Sequence, residues 1–171
     1  MISIKSTPPR RRPEASADSV LSLIQAQAFE HALRALNAAV PHRFTAIFKV
    51  DGDQVRNVLL IDKLGQPRPE RFAVFPLADS FCQFVLRDAF LHVEDSTREA
   101  LLDGSPYQGW IRAYHAVALT LLDARVVGTL SHFDTVPRKL DDAHFGLLVL
   151  AASALPEYLV DADLWDGPFS P

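Results

Sequence analysis

Hydrophobic residues recur at helical spacing from Val20 onward. Ile24, Ala28, Phe29, Ala32, Leu33, Leu36 and Val40 continue the stripe, and Gln25, Gln27, Glu30 and Arg34 fall between them. Such a stripe predicts one amphipathic helix beginning at Asp18 or Ser19, ended by Pro41 because its ring cannot continue the hydrogen-bond ladder. Over residues 43–50 the period shortens to two, with Phe44, Ala46, Phe48 and Val50 on one face and Thr45, Ile47 and Lys49 on the other. That alternation predicts a half-buried strand. Asp51-Gly52 then predicts a hairpin, since glycine accepts the positive φ that tight turns demand, and residues 55–62 form the returning strand. Gly65, Pro67 and Pro69 mark a loop, followed by a short strand over 72–75.

The middle of the chain is punctuated by polar starts. Ser80-Phe81-Cys82-Gln83 and Ser96-Thr97-Arg98-Glu99 both have the form of a capping box, in which the hydroxyl and the distal polar side chain each satisfy a free N–H at a helix start. The first predicts a short helix with Phe81, Phe84 and Val85 turned inward. The second predicts a helical turn closed by Asp103-Gly104, with a short strand over 90–93 between the two. Residues 111–122 and 126–133 are the longest strand candidates, joined through Asp123-Ala124-Arg125. An Asp141 cap then opens a long last helix through Phe145, Leu148, Val149, Ala152, Leu155 and Leu159, with Pro156 expected to bend or weaken its last turn.

A chain of 171 residues fits one domain, and 49% hydrophobic with 22% charged residues supplies enough apolar surface for it to fold unaided. Residues 1–17, rich in Pro, Ser and Arg, read as a flexible arm, residues 18–160 as the domain, and residues 161–171 as an acidic tail. Leu164, Trp165 and Phe169 in that tail are expected to pack on the domain. A net charge of -4 argues against a nucleic-acid partner, and Arg10-Arg11-Arg12 reads as part of the solvated arm. One cysteine, Cys82, allows no internal disulfide and points to a reducing, cytoplasmic compartment. Residues 1–13 lack the apolar core of a signal peptide, and the longest apolar stretch, 145–155, is shorter than the roughly 20 residues of a membrane helix, so no membrane partner is expected.

Three strings in a fixed order carry a family resemblance: Val117-Ala118-Leu119, then Asp123-Ala124-Arg125-Val126-Val127-Gly128-Thr129-Leu130, then Asp134-Thr135-Val136-Pro137-Arg138. With Ser80-Phe81-Cys82 and Val93-Glu94-Asp95 upstream, the chain resembles a GAF domain over residues 19–159. The resemblance implies an α/β (α+β) fold of GAF/PAS-like type: a central antiparallel sheet, terminal helices on one face, and a pocket on the other. Short helices and loops of segments 75–87 and 95–110 would roof that pocket. It also implies a sensory or regulatory role with a small-molecule ligand of unknown identity, and a homodimer. No cofactor is specified. A dimerisation or protein-interaction module with no ligand is the alternative, and a thiol-dependent methionine sulfoxide reductase is a third. Gly128 inside a strand independently suggests a bulge or a close backbone approach, and Asp134 with Pro137 a turn into the last helix.

Within that frame the ligand contacts expected are Phe75, Asp79, Phe81, Cys82, Tyr107, Trp110, Arg112, Tyr114 and His132. Aromatic walls with a few polar anchors suit a small molecule, and Arg112 is the residue suited to an anionic group. Cys82 lies near a cysteine position of the reductase subfamily, but the nucleophile implied around 108–111 is missing, and one cysteine cannot both react and resolve. The expectation is a protein that does not catalyse a reaction, in line with the lack of a G-x-S-x-G elbow, H-E-x-x-H helix, P-loop or G-x-G-x-x-G turn. His115 and His132 share a face if the hairpin loop has two residues and lie on opposite faces if it has three. His92-Val93-Glu94-Asp95 reads as a strand end with a cap, and no metal is expected.

Overall fold

The computed structural model describes residues 15–166, so most of the expected arm, Arg10 to Arg12 included, and Phe169 lie outside the described residues. Two helices, not one, occupy the N-terminal stretch. In α1 (Ala17–Gln25) the first turn is capped by Ser16, whose hydroxyl accepts the Ser19 N–H at 3.2 Å, and α2 (Phe29–Ala39) follows after a three-residue turn. The expectation of a continuous helix is corrected by a slip in phase. The buried positions step from Ile24 to Phe29, five residues, where a helical face needs three or four. A Schellman closure makes the break, with Gln27 at φ +56°, its N–H on the Ile24 carbonyl and the Ala28 N–H on the Leu23 carbonyl, both at 2.9 Å.

Six strands follow: β1 (Phe44–Asp51), β2 (Gln54–Asp62), β3 (Val74–Pro76), β4 (Phe90–Val93), β5 (Ala113–Thr120) and β6 (Val126–Asp134). They form one antiparallel sheet in the order β3-β2-β1-β6-β5-β4. The first hairpin closes as its sequence predicts, Asp51 pairing with Gln54 around Gly52 at φ +62°. The ladder slips between Ile47 and Phe48, where the Asn57 side-chain amide donates to the Ile47 and Leu59 carbonyls at 3.2 and 3.1 Å. Gly128 is a close approach: a Cβ there would stand 2.1 Å from the Phe48 carbonyl oxygen, so only glycine lets β1 and β6 pair at that point.

The predicted capping boxes do not form, although helical structure does follow both. Ahead of α3 (Cys82–Asp88), the Ser80 hydroxyl donates to the Leu77 carbonyl at 2.8 Å, and the Gln83 amide donates to the Ala78 and Ser80 carbonyls. Both side chains thus secure the preceding 3-10 turn instead of the helix start. At the second site Asp95 is the cap, accepting the Thr97 N–H at 3.2 Å, while Ser96 accepts the Gly109 N–H at 3.0 Å and ties the roof together. The cap of the last long helix is as expected: in α4 (Asp142–Val160), Asp141 accepts the His144 N–H at 2.8 Å. Pro156 lies inside α4, which runs on to Val160. The short α5 (Asp163–Asp166) brings Trp165 onto the domain, where Lys49 and Arg56 both donate to its carbonyl, at 3.3 and 3.0 Å.

By length and composition α4 is apolar enough to cross a membrane. In this fold it is a core helix, with Leu148, Ala151, Ala152, Leu155 and Leu159 buried. α1, α2 and α4 cover one face of the sheet and enclose Ile47, Leu119 and Leu130. The opposite face carries a second core of Phe44, Phe48, Tyr114 and Phe133 with Phe81, Cys82 and Val85 of α3 and the 3-10 turns around it. The chain is therefore a mixed α/β protein with its long helices on one side of the sheet and a short helix with 3-10 turns on the other.

Candidate ligand-binding site

The roofed face holds a pocket built from three sources. Its floor is Phe48 of β1, Tyr114 of β5 and Phe133 of β6, which strand alternation turns to the same side. Its roof is Phe72, Phe75, Tyr107 and Ile111, and its flank is Ser80, Phe81 and Cys82 at the start of α3. Rings meet edge to face or tilted, Phe81 with Tyr114 at 5.4 Å and Phe75 with Tyr107 at 5.5 Å between centroids. They leave a cavity of about 30 Å³, the scale of a buried water.

The polar atoms of this face are sunk beneath the rings. The Tyr114 hydroxyl lies 3.3 Å from the Cys82 sulfur, which lies 3.7 Å from the Thr129 hydroxyl. The Ser131 hydroxyl, between Ala46 and Ala116 in the sheet, is fully buried and has no hydrogen-bond partner. Burial pushes the Cys82 thiol and the Tyr114 phenol above their ordinary values, so both are neutral at neutral pH. For Cys82 this outweighs any help from its place at a helix start, and the thiolate that attack would need is disfavoured.

Of the contacts expected from sequence, Phe75, Phe81, Cys82, Tyr107 and Tyr114 line the cavity. Trp110 stands one layer out, stacked on Phe72 at 5.1 Å with the Arg71 guanidinium 3.6 Å from its ring centre. Asp79 is exposed, and its carbonyl accepts the Ser105 hydroxyl. Arg112 points away and grips Asp95 through two 2.8 Å bonds, which with Thr97 hold that carboxyl below its usual range. His132 is on the other face of the sheet altogether. Phe48, Phe72, Ser80, Ile111 and Phe133 were not singled out by sequence. For Phe48 and Phe133 strand parity with Tyr114 is the signal, and it becomes readable only once the sheet order is known.

No family model and no curated protein matches the sequence. Solved structures do match by shape. The GAF domain of an Acinetobacter phosphoenolpyruvate-protein phosphotransferase superposes with a TM-score of 0.66 at 12% identity, over 83% of this chain and 89% of that one. A phycocyanobilin-bound GAF domain from a cyanobacterial phytochrome gives 0.67 at 11% identity, over 90% and 98%. The fold is that of a GAF domain. Free methionine-R-sulfoxide reductase from Neisseria meningitidis, in complex with its substrate, also superposes, at 0.62 and 15% identity over 86% and 90%. GAF-like geometry is thus compatible with sensing and with catalysis, and fold alone does not choose.

The GAF sheet also settles the parity of the long hairpin. The connection spans residues 121–125, Ala124 takes φ +70°, and the ladder shifts by one residue between Leu119 and Thr120. His115 and His132 are consequently direct partners, with His92 beyond His115 and Thr45 beyond His132 in the same row. His42 lies over them, its Nε2 2.9 Å from Nδ1 of His115, and Thr45 Oγ1 is 2.7 Å from Nδ1 of His132. Burial lowers His42 to about 4 and His115 to about 3, and places His132 well below its usual value. Among the described residues no group of three or more His, Cys, Asp or Glu side chains is arranged to hold a metal ion.

Proposed function

We propose that this GAF-fold chain is a cytoplasmic sensory or regulatory module that holds a small molecule between its sheet and its roof without transforming it. One observation carries the reading: the roofed face holds a cavity walled by Phe48, Phe75, Phe81, Tyr107, Tyr114 and Phe133, the mainly apolar wall with few polar groups that suits a small molecule. The single, neutral, buried thiol supports a role in binding rather than in catalysis. The bilin-bound GAF domains among the structural neighbours support the reading. Thermal-shift screening against a broad metabolite library tests the reading, because a ligand that binds only the native state raises its stability by mass action. Stabilisation by at least one compound is expected, and a flat response across the library would overturn it.

A dimerisation role is the second reading, and α4 favours it, since Gly146, Val149 and Ser153 remain exposed on its outer side. Light scattering at high protein concentration checks this, with a strictly monomeric mass counting against it.

A further inference from the structure

The chemistry of the pocket narrows its guest, an inference that rests on the binding role just proposed. We propose that the pocket takes small, uncharged ligands of about one aromatic ring with at most one neutral polar group, and rejects anions.

Charge is the first argument. None of the side chains lining the cavity carries a formal charge. Around the roof, Arg112 is clamped to Asp95, and Arg71 lies outside the lining on Trp110, which is itself stacked on Phe72. A phosphate or carboxylate entering among Phe48, Phe81 and Phe133 would lose its hydration with no cation among the lining side chains to replace it, a cost that grows steeply in apolar surroundings.

Hydrogen bonding is the second. On the pocket face the Ser80 hydroxyl already donates to the Leu77 carbonyl, and Tyr114 is matched with Cys82. The Ser131 hydroxyl, though buried without a hydrogen-bond partner, is not among the residues that line the cavity. A guest with several polar groups would leave them unpaired among the rings, which weakens its binding.

Size is the third. A cavity of about 30 Å³ admits a water, not a ring. Tyr107 is half-buried on the outer wall, so it is the ring that can swing out. The space it vacates sets the size of the guest at roughly one ring.

The decisive pair of probes is benzyl alcohol and benzoate, nearly equal in shape and different in charge, followed on the full chain by thermal shift and by amide NMR shifts at Tyr114 and Phe133. Benzyl alcohol is expected to bind at least roughly tenfold more tightly than benzoate, because a desolvated, unpaired carboxylate is so unfavourable. Cys82→Met, which pushes a longer side chain into the cavity, should abolish benzyl alcohol binding. Tyr107→Ala, which enlarges the cavity from its solvent side, should strengthen it several-fold, and circular dichroism checks that both variants fold. If benzoate or a nucleotide binds as well as benzyl alcohol or better, the neutral-ligand inference falls while the binding role stands. If neither these probes nor a broad library shifts the protein, both fall together.

Discussion

The two faces of this sheet are closed in different ways. On the helix side, long regular helices press Leu33, Leu148 and Leu155 against Ile47, Leu119 and Leu130, and every one of these is fully buried. On the roof side, short 3-10 turns and one seven-residue helix hold large rings that cannot interlock completely, and a cavity remains. Aliphatic chains on regular helices fill space by interdigitation, whereas rings carried on irregular turns leave gaps between rigid plates. The first kind of face gives stability, and the second leaves room for a guest at some cost in packing.

The contrast can be broken most sharply where both faces depend on one strand contact. Gly128→Ala sets a methyl carbon 2.1 Å from the Phe48 carbonyl oxygen and must force β1 and β6 apart. A loss on the order of 4 kcal/mol is expected in urea unfolding, and a loss under about 1 kcal/mol would mean that the strands are not so close. Truncation on each side then sharpens the comparison. Leu155→Ala on the helix face should cost about 3 kcal/mol, and Ile111→Ala beside the cavity about 2 kcal/mol, since loosely packed rings can close in on the new space. Equal costs would mean that the roof is as tightly packed as the helix face.

The smallest step, counted for one histidine and one pH unit, belongs to the histidine row. His42 titrates near 4 and His115 near 3 in the native protein, both below the ordinary value of 6.5. As pH falls below about 6.5 the unfolded chain takes up protons that the folded chain refuses. Stability is therefore complete above that value and is lost progressively toward pH 4, by about 1.4 kcal/mol per pH unit for each such histidine. His42→Gln should remove about one proton from that slope between pH 6.5 and 4. An unchanged slope in the variant would show that His42 is not held neutral by burial.

Local periodicity made most of the fold legible. The β1–β2 hairpin, the length of α4 and its Asp141 cap were all readable because neighbouring residues specify them. The break between α1 and α2 was harder to see because Gln27, not glycine, takes the left-handed position, and only the skipped step from Ile24 to Phe29 betrays it. Ser80 and Ser96 look like caps in the sequence, but a carbonyl and an amide of the roof take their hydroxyls, and such partners come from the tertiary fold. In the site, the five aromatic and thiol positions of the pocket wall were recoverable from composition near the roof. Arg112 and His132 were not, since an ion pair with Asp95 and a one-residue ladder shift decide where they point.

The order of the strands bears on how the molecule behaves when crowded. Both outermost positions are held by the shortest strands, β3 with three residues and β4 with four, and β3 ends at Pro76, which has no N–H to offer. Longer strands with open ladders recruit copies of themselves and seed fibres, whereas margins this brief give an incoming chain little to zip onto. Concentrated samples should therefore stay free of cross-β aggregates for as long as the domain remains folded.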